Sequence, residues 1–283
     1  MKVVILCGGQ GTRLREYTEF KPKPLVEIGG RPILWHVMKL YAHYGFREFV
    51  LCLGYRGDLI RDYFLNYETR NQDCTVRLGG RSEIRYHGSH DEEDFVVTLA
   101  DTGQETMTGG RVKRIERYID TDSFLLTYAD GLADIDLRAL VAFHQSHGRT
   151  ATVTAVRPAS RYGVLDVDGE GAVRGFIEKP QMDFMVSGGF FVFRREIFRE
   201  LWDGGCVLER EPLENIARTG QLRAYRHEGF FCTMDTYQES LQLNQRWAAG
   251  DAPWRIWDRS VSDINRLADA LRQEQPSVTL ARQ

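Results

Sequence analysis

Cysteine is sparse in this chain and never paired. Cys7, Cys52, Cys74, Cys206 and Cys232 form no C-x-x-C unit, which excludes a disulfide framework and a structural zinc site of ordinary spacing. Long apolar runs are missing as well. The opening strand, Val3 to Cys7, meets Gly8-Gly9 after five apolar residues, too few for the apolar region of a signal peptide, and nothing later approaches a membrane span. With no targeting segment visible, a cytoplasmic location is expected. Neither charge dominates: 37 Lys plus Arg stand against 40 Asp plus Glu, so there is no electrostatic reason to expect nucleic acid, and a small or acidic partner is indicated. Lysine itself is scarce, with six among the 37 basic residues, and three of those six precede a proline: Lys21-Pro22, Lys23-Pro24 and Lys179-Pro180. A genome biased toward arginine can explain the scarcity but not the placement. A compact ammonium meets a phosphate oxygen as a point charge, which a planar guanidinium does not replace.

The rest of the composition is that of a folded enzyme. The chain has 283 residues, 42% hydrophobic and 27% charged, too apolar to stay disordered. One large α/β domain or two intimate lobes should bury roughly three quarters of the unfolded chain's surface. Residues 2–7 read as a buried strand and 48–53 as another. Between them, Ile33, Val37, Leu40, Tyr41 and Tyr44 recur at helical spacing behind Pro32, with Gly45 as the stop. A helix near 57–67, brief strands through 100, a strand over 124–129 and a helix over 136–147 follow. Beyond 150 the texture changes to short strands (151–157, 163–168, 172–178, 187–193), then helices near 194–202, 210–218 and 236–249. This order argues for a mixed sheet wrapped by helices, with a ligand at the carboxyl ends of its strands. A helix over 260–273, with Val261, Ile264, Leu267, Ala268 and Leu271 on one side, suits docking or oligomer contact rather than catalysis.

Gly8-Gly9-Gln10-Gly11-Thr12-Arg13-Leu14 follows the first strand, where backbone N–H groups can cradle phosphate oxygens. The dinucleotide fingerprint would need glycine at Leu14 and the P-loop would need it at Arg13, so the loop is neither. Arg13 can fork onto a polyphosphate, and Lys23 sits in the stiff run Lys21-Pro22-Lys23-Pro24. Together they describe a triphosphate clamp.

The run G-G-x-G-T-R-L followed by K-P-K-P-L-V-E-I-G-G-R-P-I-L resembles the sugar-1-phosphate nucleotidyltransferases. Further stretches, D-T-G-x-x-x-M-T-G-G-R (101–111), T-Y-A-D-G-L-A-D (127–134), R-Y-G-V-L-D (161–166), F-x-E-K-P (176–180), G-G-F-F-V (188–192) and M-D-T (234–236), are similar to members that join CTP to α-D-glucose 1-phosphate. The likeness runs from residue 1 to about 257. It implies a Rossmann-like α/β fold with a mixed, mostly parallel sheet and a smaller β-rich sugar lobe, release of pyrophosphate, Mg²⁺ as cofactor, and a homo-oligomer, often a hexamer. Within a domain over 1–257, residues to about 150 would bind nucleotide and 151–250 the sugar phosphate, leaving 258–283 as a helical extension.

Residue by residue, the resemblance gives Leu6, Gly8, Gly9, Gly11, Thr12, Arg13, Lys23, Thr106, Arg111 and Ala129 to the nucleotide. Asp130 and Asp235 become metal ligands. Gly163, Glu178, Lys179, Ser187, Gly188 and Gly189 line the sugar phosphate, and Arg13, Lys23 and Lys179 carry the catalytic charge. Two positions depart from the pattern: Ala129 stands where the family commonly has Gly, and Ser187 where Asn is expected, which leaves the hexose less defined. Other roles remain open for several of these. Asp130 could form a turn, Asp235 could cap the helix at 236, and Lys179 and Arg111 could be solvated surface groups. The same reaction with dTTP, UTP or GTP, or with a modified hexose 1-phosphate, stays open too. Asp134-Ile135-Asp136 is a D-x-D triplet that would suit a glycosyltransferase. His144 and His147 lack a third zinc ligand nearby, and Phe190, Phe191 and Phe193 read as core.

Overall fold

A computed structural model describes residues 1–79, 83–90, 92, 94–160 and 162–258. Its centre is a seven-stranded sheet of β1 (Val3–Leu6), β2 (Glu48–Leu53), β3 (Val96–Asp101), β4 (Ser123–Tyr128), β5 (Ala151–Val156), β6 (Val186–Arg194) and β7 (Leu222–His227), in the order β7-β5-β6-β4-β1-β2-β3. β1 runs parallel to both neighbours, and β2 to β3 and β5 to β7 are parallel as well. Only β6 is antiparallel to its neighbours. All four residues of β1 are buried, as an aliphatic run covered on both faces requires.

The longer helices are α1 (Ile33–His43), α2 (Gly57–Leu65), α3 (Thr108–Arg114), α4 (Leu137–His147), α5 (Glu211–Arg218) and α6 (Tyr237–Ala248). Alternation along β6 divides the core between two faces of the sheet. Phe190 and Val192 join Ile33, Val37, Leu40, Leu140 and Leu243 on one face; Phe191 and Phe193 join Val112, Phe124 and Ile216 on the other. The three phenylalanines are fully buried, as their sequence context indicated.

β5, β6 and β7 hydrogen-bond into the same sheet as β1 to β4. Among the described residues the hairpin Val164–Val167 with Val173–Ile177 pairs only with itself, and it carries exposed Leu165, Phe176 and Ile177. The helix expected near 57–67 ends at Leu65, and the one near 194–202 is a 3₁₀ turn, Arg195–Arg199. Two of the longer elements escaped the sequence pattern. β7 reads Leu-Arg-Ala-Tyr-Arg-His and bonds only β5, the charged habit of an edge strand. α3 begins Thr-Gly-Gly, poor helix chemistry that close packing explains: a Cβ on Gly110 would lie 2.8 Å from the Gly204 carbonyl oxygen. The helical extension over 258–283 lies beyond the described residues apart from Asp258, and Arg161 of the R-Y-G stretch lies outside them also.

Candidate active site

The carboxyl ends of β1, β2 and β4 align, with Leu6 paired in register to both Cys52 and Tyr128. The glycine loop leaves β1 at this point, beside the turn at Gly54 and the Ala129-Asp130 corner. Gly11 holds φ at +63° and its carbonyl closes the 3₁₀ turn Thr12–Leu14 by accepting from Leu14 N–H at 2.9 Å, a conformation glycine adopts without strain. Gly8 is needed for another reason: a Cβ there would sit 2.2 Å from the Arg111 guanidinium.

Above the loop lies a cleft of about 350 Å³. Leu6, Gly8, Gly9, Gly11, Thr12, Arg13, Lys23, Thr106, Arg111 and Ala129, the whole nucleotide set from the sequence, line it together with Asp130 and Tyr128. Arg111 is no surface residue. Its side chain is buried, and the guanidinium donates to the carbonyls of Leu53, Gly103, Gly8 and Gln104 and to the Thr102 hydroxyl. It ties three loops together from beneath the cleft.

The two aspartates, 105 positions apart in sequence, converge through a short antiparallel ribbon. Gly131–Ala133 pairs with Phe231–Thr233, and the Met234 N–H donates to the Asp130 carbonyl at 3.0 Å. Between the carboxylates sits the Lys23 ammonium, 2.5 Å from Asp130 Oδ2 and 2.7 Å from Asp235 Oδ1. Arg13 reaches the same Asp235 oxygen at 2.7 Å, and the Thr233 hydroxyl donates to the other at 3.1 Å. Asp235 does not cap α6. Thr236 does, in a reciprocal box with Glu239, which leaves the Asp235 carboxylate for the cleft. Of the two lysines in the stiff run, Lys21 turns outward to Glu27 at 3.2 Å and only Lys23 turns in.

Burial pushes the Asp235 carboxyl up, yet the hydrogen bond and charge of Lys23 with the charge of Arg13 outweigh it and hold the group below its ordinary 3.8. A depressed folded pKa contributes stability that is present above the unfolded value and is lost as pH falls through the folded one. The stability gap between wild type and Asp235→Asn should therefore narrow as pH drops below about 4. Urea midpoints taken along that series check this, and a gap that stays constant would contradict it.

Two carboxylates whose oxygens meet one cation suit a hard divalent ion that keeps substrate phosphates among its ligands. No group of three or more His, Cys, Asp or Glu gathers for a metal among the described residues. The D-x-D aspartates are otherwise engaged: Asp136 Oδ1 caps α4 by accepting from the Ala139 N–H, and Asp134 pairs with His227 at 3.1 Å. His144 and His147 share the Thr152 hydroxyl at 2.9 and 2.8 Å.

The residues expected for the sugar phosphate fall in two places. Ser187, Gly188 and Gly189 lie near the start of β6, where a Cβ on Gly189 would strike the Tyr128 ring at 2.5 Å, so Gly189 packs against a residue of the cleft wall while Gly188 faces Val156. Gly163, Glu178 and Lys179 stand on the projecting hairpin. A Cβ on Gly163 would sit 3.1 Å from Glu178 Oε2, and exposed Lys179, at a φ of +47°, reaches Glu178 alone among the described residues, at 3.8 Å. Sequence reasoning missed Tyr128 and Glu209, whose side chains hydrogen-bond at the cleft's edge, with Thr108 donating to the same carboxylate at 2.6 Å. Tyr128 lay within a quoted motif, but Glu209 had no motif to mark it.

A model of the family described as Nucleotidyl transferase matches residues 2–211. The chain belongs to the nucleotidyl transferase family. Among relatives of this nucleotidyl transferase, the glucose-1-phosphate cytidylyltransferase of Salmonella typhi is 46% identical over 261 residues, covering 91% of this chain and 100% of that one. The mannose-1-phosphate guanylyltransferase catalytic subunit beta of Danio rerio is 33% identical over 238 residues, covering 82% of this chain and 60% of its own. Among solved structures, HddC from Yersinia pseudotuberculosis superposes with a TM-score of 0.65 at 22% identity, covering 87% of this chain and 99% of that chain. That likeness shows the shared fold, the Rossmann-like arrangement of a mixed, mostly parallel sheet. Among the described residues no helix is long and apolar enough to cross a membrane.

Proposed function

We propose that this nucleotidyl transferase moves the cytidylyl group of CTP onto α-D-glucose 1-phosphate, giving CDP-glucose and pyrophosphate. The observation that carries the reading is the meeting of Lys23, Arg13, Asp130 and Asp235 at one point of a cleft floored by the glycine loop. The choice of cytosine and glucose follows the activity named for the Salmonella typhi relative. One oxygen of the sugar phosphate attacks the α-phosphorus in line, the bond to the β-phosphate oxygen breaks, and pyrophosphate leaves with that electron pair. No protein nucleophile is needed, because the work is positioning and charge neutralisation.

Backbone N–H groups of Gly8 to Gly11 cradle the phosphates. Arg13 and Lys23 bind the triphosphate and offset charge on the departing pyrophosphate. Asp130 and Asp235 would hold the cofactor Mg²⁺, which when bound supplies further neutralisation of the phosphate oxygens. Arg111 fixes the loop's position from below, and Thr106 and Ala129 close the walls. Lys179, beside Glu178 and Gly163 on the hairpin, aims and neutralises the attacking phosphate, with Ser187 to Gly189 against the hexose. On this reading residues 1–150 serve the nucleotide and 151–250 the sugar phosphate. The resemblance implies a homo-oligomer, often a hexamer, and a cytoplasmic location belongs to the same reading; the exposed apolar residues of the hairpin support contact with a second copy.

Pyrophosphate release, measured with Mg²⁺ and glucose 1-phosphate against CTP, dTTP, UTP, ATP and GTP, tests the reading. Release confined to CTP is expected, and release confined to another nucleotide would overturn the base assignment. In the same assay Lys179→Ala should raise the KM for glucose 1-phosphate or lower kcat by on the order of a hundredfold, with CTP affinity nearly unchanged. Equal losses for both substrates would contradict its place on the sugar phosphate.

A further inference from the structure

We infer that Lys23 serves as the protein's own cation at the Asp130–Asp235 pair, so that the pair takes a divalent metal only together with a triphosphate that draws Lys23 away. The inference rests on the reading of the cleft as a metal–nucleotide site and adds to it a rule for how the two ligands enter.

The contacts leave little room for a metal alone. Lys23 Nζ bridges Asp130 Oδ2 and Asp235 Oδ1 at 2.5 and 2.7 Å, Arg13 takes the same Asp235 oxygen at 2.7 Å, and Thr233 takes the other at 3.1 Å. Two cations and two carboxylates make a neutral cluster. The Lys23 and Asp235 side chains are only 12% and 9% exposed, so water screens them poorly. A divalent ion arriving alone meets no net attraction and must expel an ammonium that then has no partner. A triphosphate arriving alone must draw Lys23 and Arg13 from their carboxylates, leaving two negative groups facing each other and the new anion.

Arriving together, the two ligands exchange partners: the divalent ion takes the two carboxylates while Lys23 and Arg13 turn to the triphosphate, so that neither a carboxylate nor a side-chain cation is left without an opposite charge. Lys23 is suited to this exchange. Pro22 and Pro24 flank it in a 3₁₀ turn over Lys23–Leu25, so its stem is held while the ammonium moves between the carboxylates and the phosphate cradle of the same cleft. Each ligand then tightens the other by the same factor, since coupling free energy is reciprocal.

The test uses Mn²⁺ as a spin-visible probe in place of the native ion. Wild type without nucleotide should bind Mn²⁺ weakly, whereas Lys23→Met should bind it about tenfold tighter or more, although the variant loses turnover. Lys23→Met should also melt lower than wild type in chelator and regain that loss on adding Mn²⁺. If the variant does not fold, the wild type alone decides: a non-hydrolysable CTP analogue should tighten Mn²⁺ about tenfold or more, and Mn²⁺ should tighten the analogue by the same factor, after subtracting the metal that free nucleotide binds. Equal Mn²⁺ affinity with and without Lys23, or with and without the analogue, overturns the inference while pyrophosphate release by wild type leaves the functional reading intact. Absence of release with every nucleotide and sugar phosphate would instead remove the reading itself.

Discussion

Asp130→Asn is expected to lower pyrophosphate release by about two to three orders of magnitude with little change in thermal midpoint. The substitution keeps the shape of the side chain and removes only its charge. What holds the corner is backbone, the Asp130 carbonyl accepting from Met234 N–H at 3.0 Å, and that bond survives. What is lost is half of the carboxylate pair around the Lys23 ammonium, the pair that in the proposed function would hold a divalent ion against the triphosphate. Steady-state kinetics beside a melting curve separate the two effects. A variant within tenfold of wild type would place the chemistry elsewhere.

Arg111→Met should have the largest effect on stability. The methionine keeps the apolar stem and removes a guanidinium that serves four carbonyls and a hydroxyl. Buried acceptors left without a donor should cost about 3 kcal/mol or more in total, which lowers the melting temperature by about 5 °C in a chain of this size. The KM for the nucleotide should rise as well, because the Gly8 carbonyl loses its tie at 3.0 Å. Arg111→Lys should not rescue either property, since an ammonium cannot fork to separate loops. Urea denaturation and nucleotide KM check this, and a lysine variant equal to wild type would show that charge alone suffices.

Much of this site was legible in the residues because its parts are local. A glycine loop after a buried strand, an arginine at its end and a lysine between prolines are each readable within a few positions, and the cleft gathers all of them. The strand over 48–53 and the helix behind Pro32 followed from their apolar residues, since the strand is buried without a break from Phe49 to Leu53 and the helix buries Ile33, Val37, Leu40 and Tyr41 with most of its other residues. What stayed hidden depends on packing at long range. The convergence of Asp130 with Asp235 needs a two-strand ribbon of three residues each, too short to leave a pattern. The role of Arg111 beneath the loop could not be separated from a surface role, because Leu53 and Gly8, two of its partners, lie far away in the sequence. α3 was concealed by glycines that exist for the approach of Gly204, and β7 by the charges that protect a sheet edge. Glu209 had no motif, and its place follows from the chain returning past Thr108 and Tyr128.

The most direct measurement of the central claim is phosphorus NMR of one reaction: purified protein, Mg²⁺, CTP and glucose 1-phosphate, followed with time. Attack at the α-phosphorus predicts loss of the triphosphate signals with equal growth of a sugar-nucleotide diphosphate pair and of pyrophosphate. Growth of free cytidine diphosphate, or of orthophosphate with the sugar phosphate untouched, would contradict it.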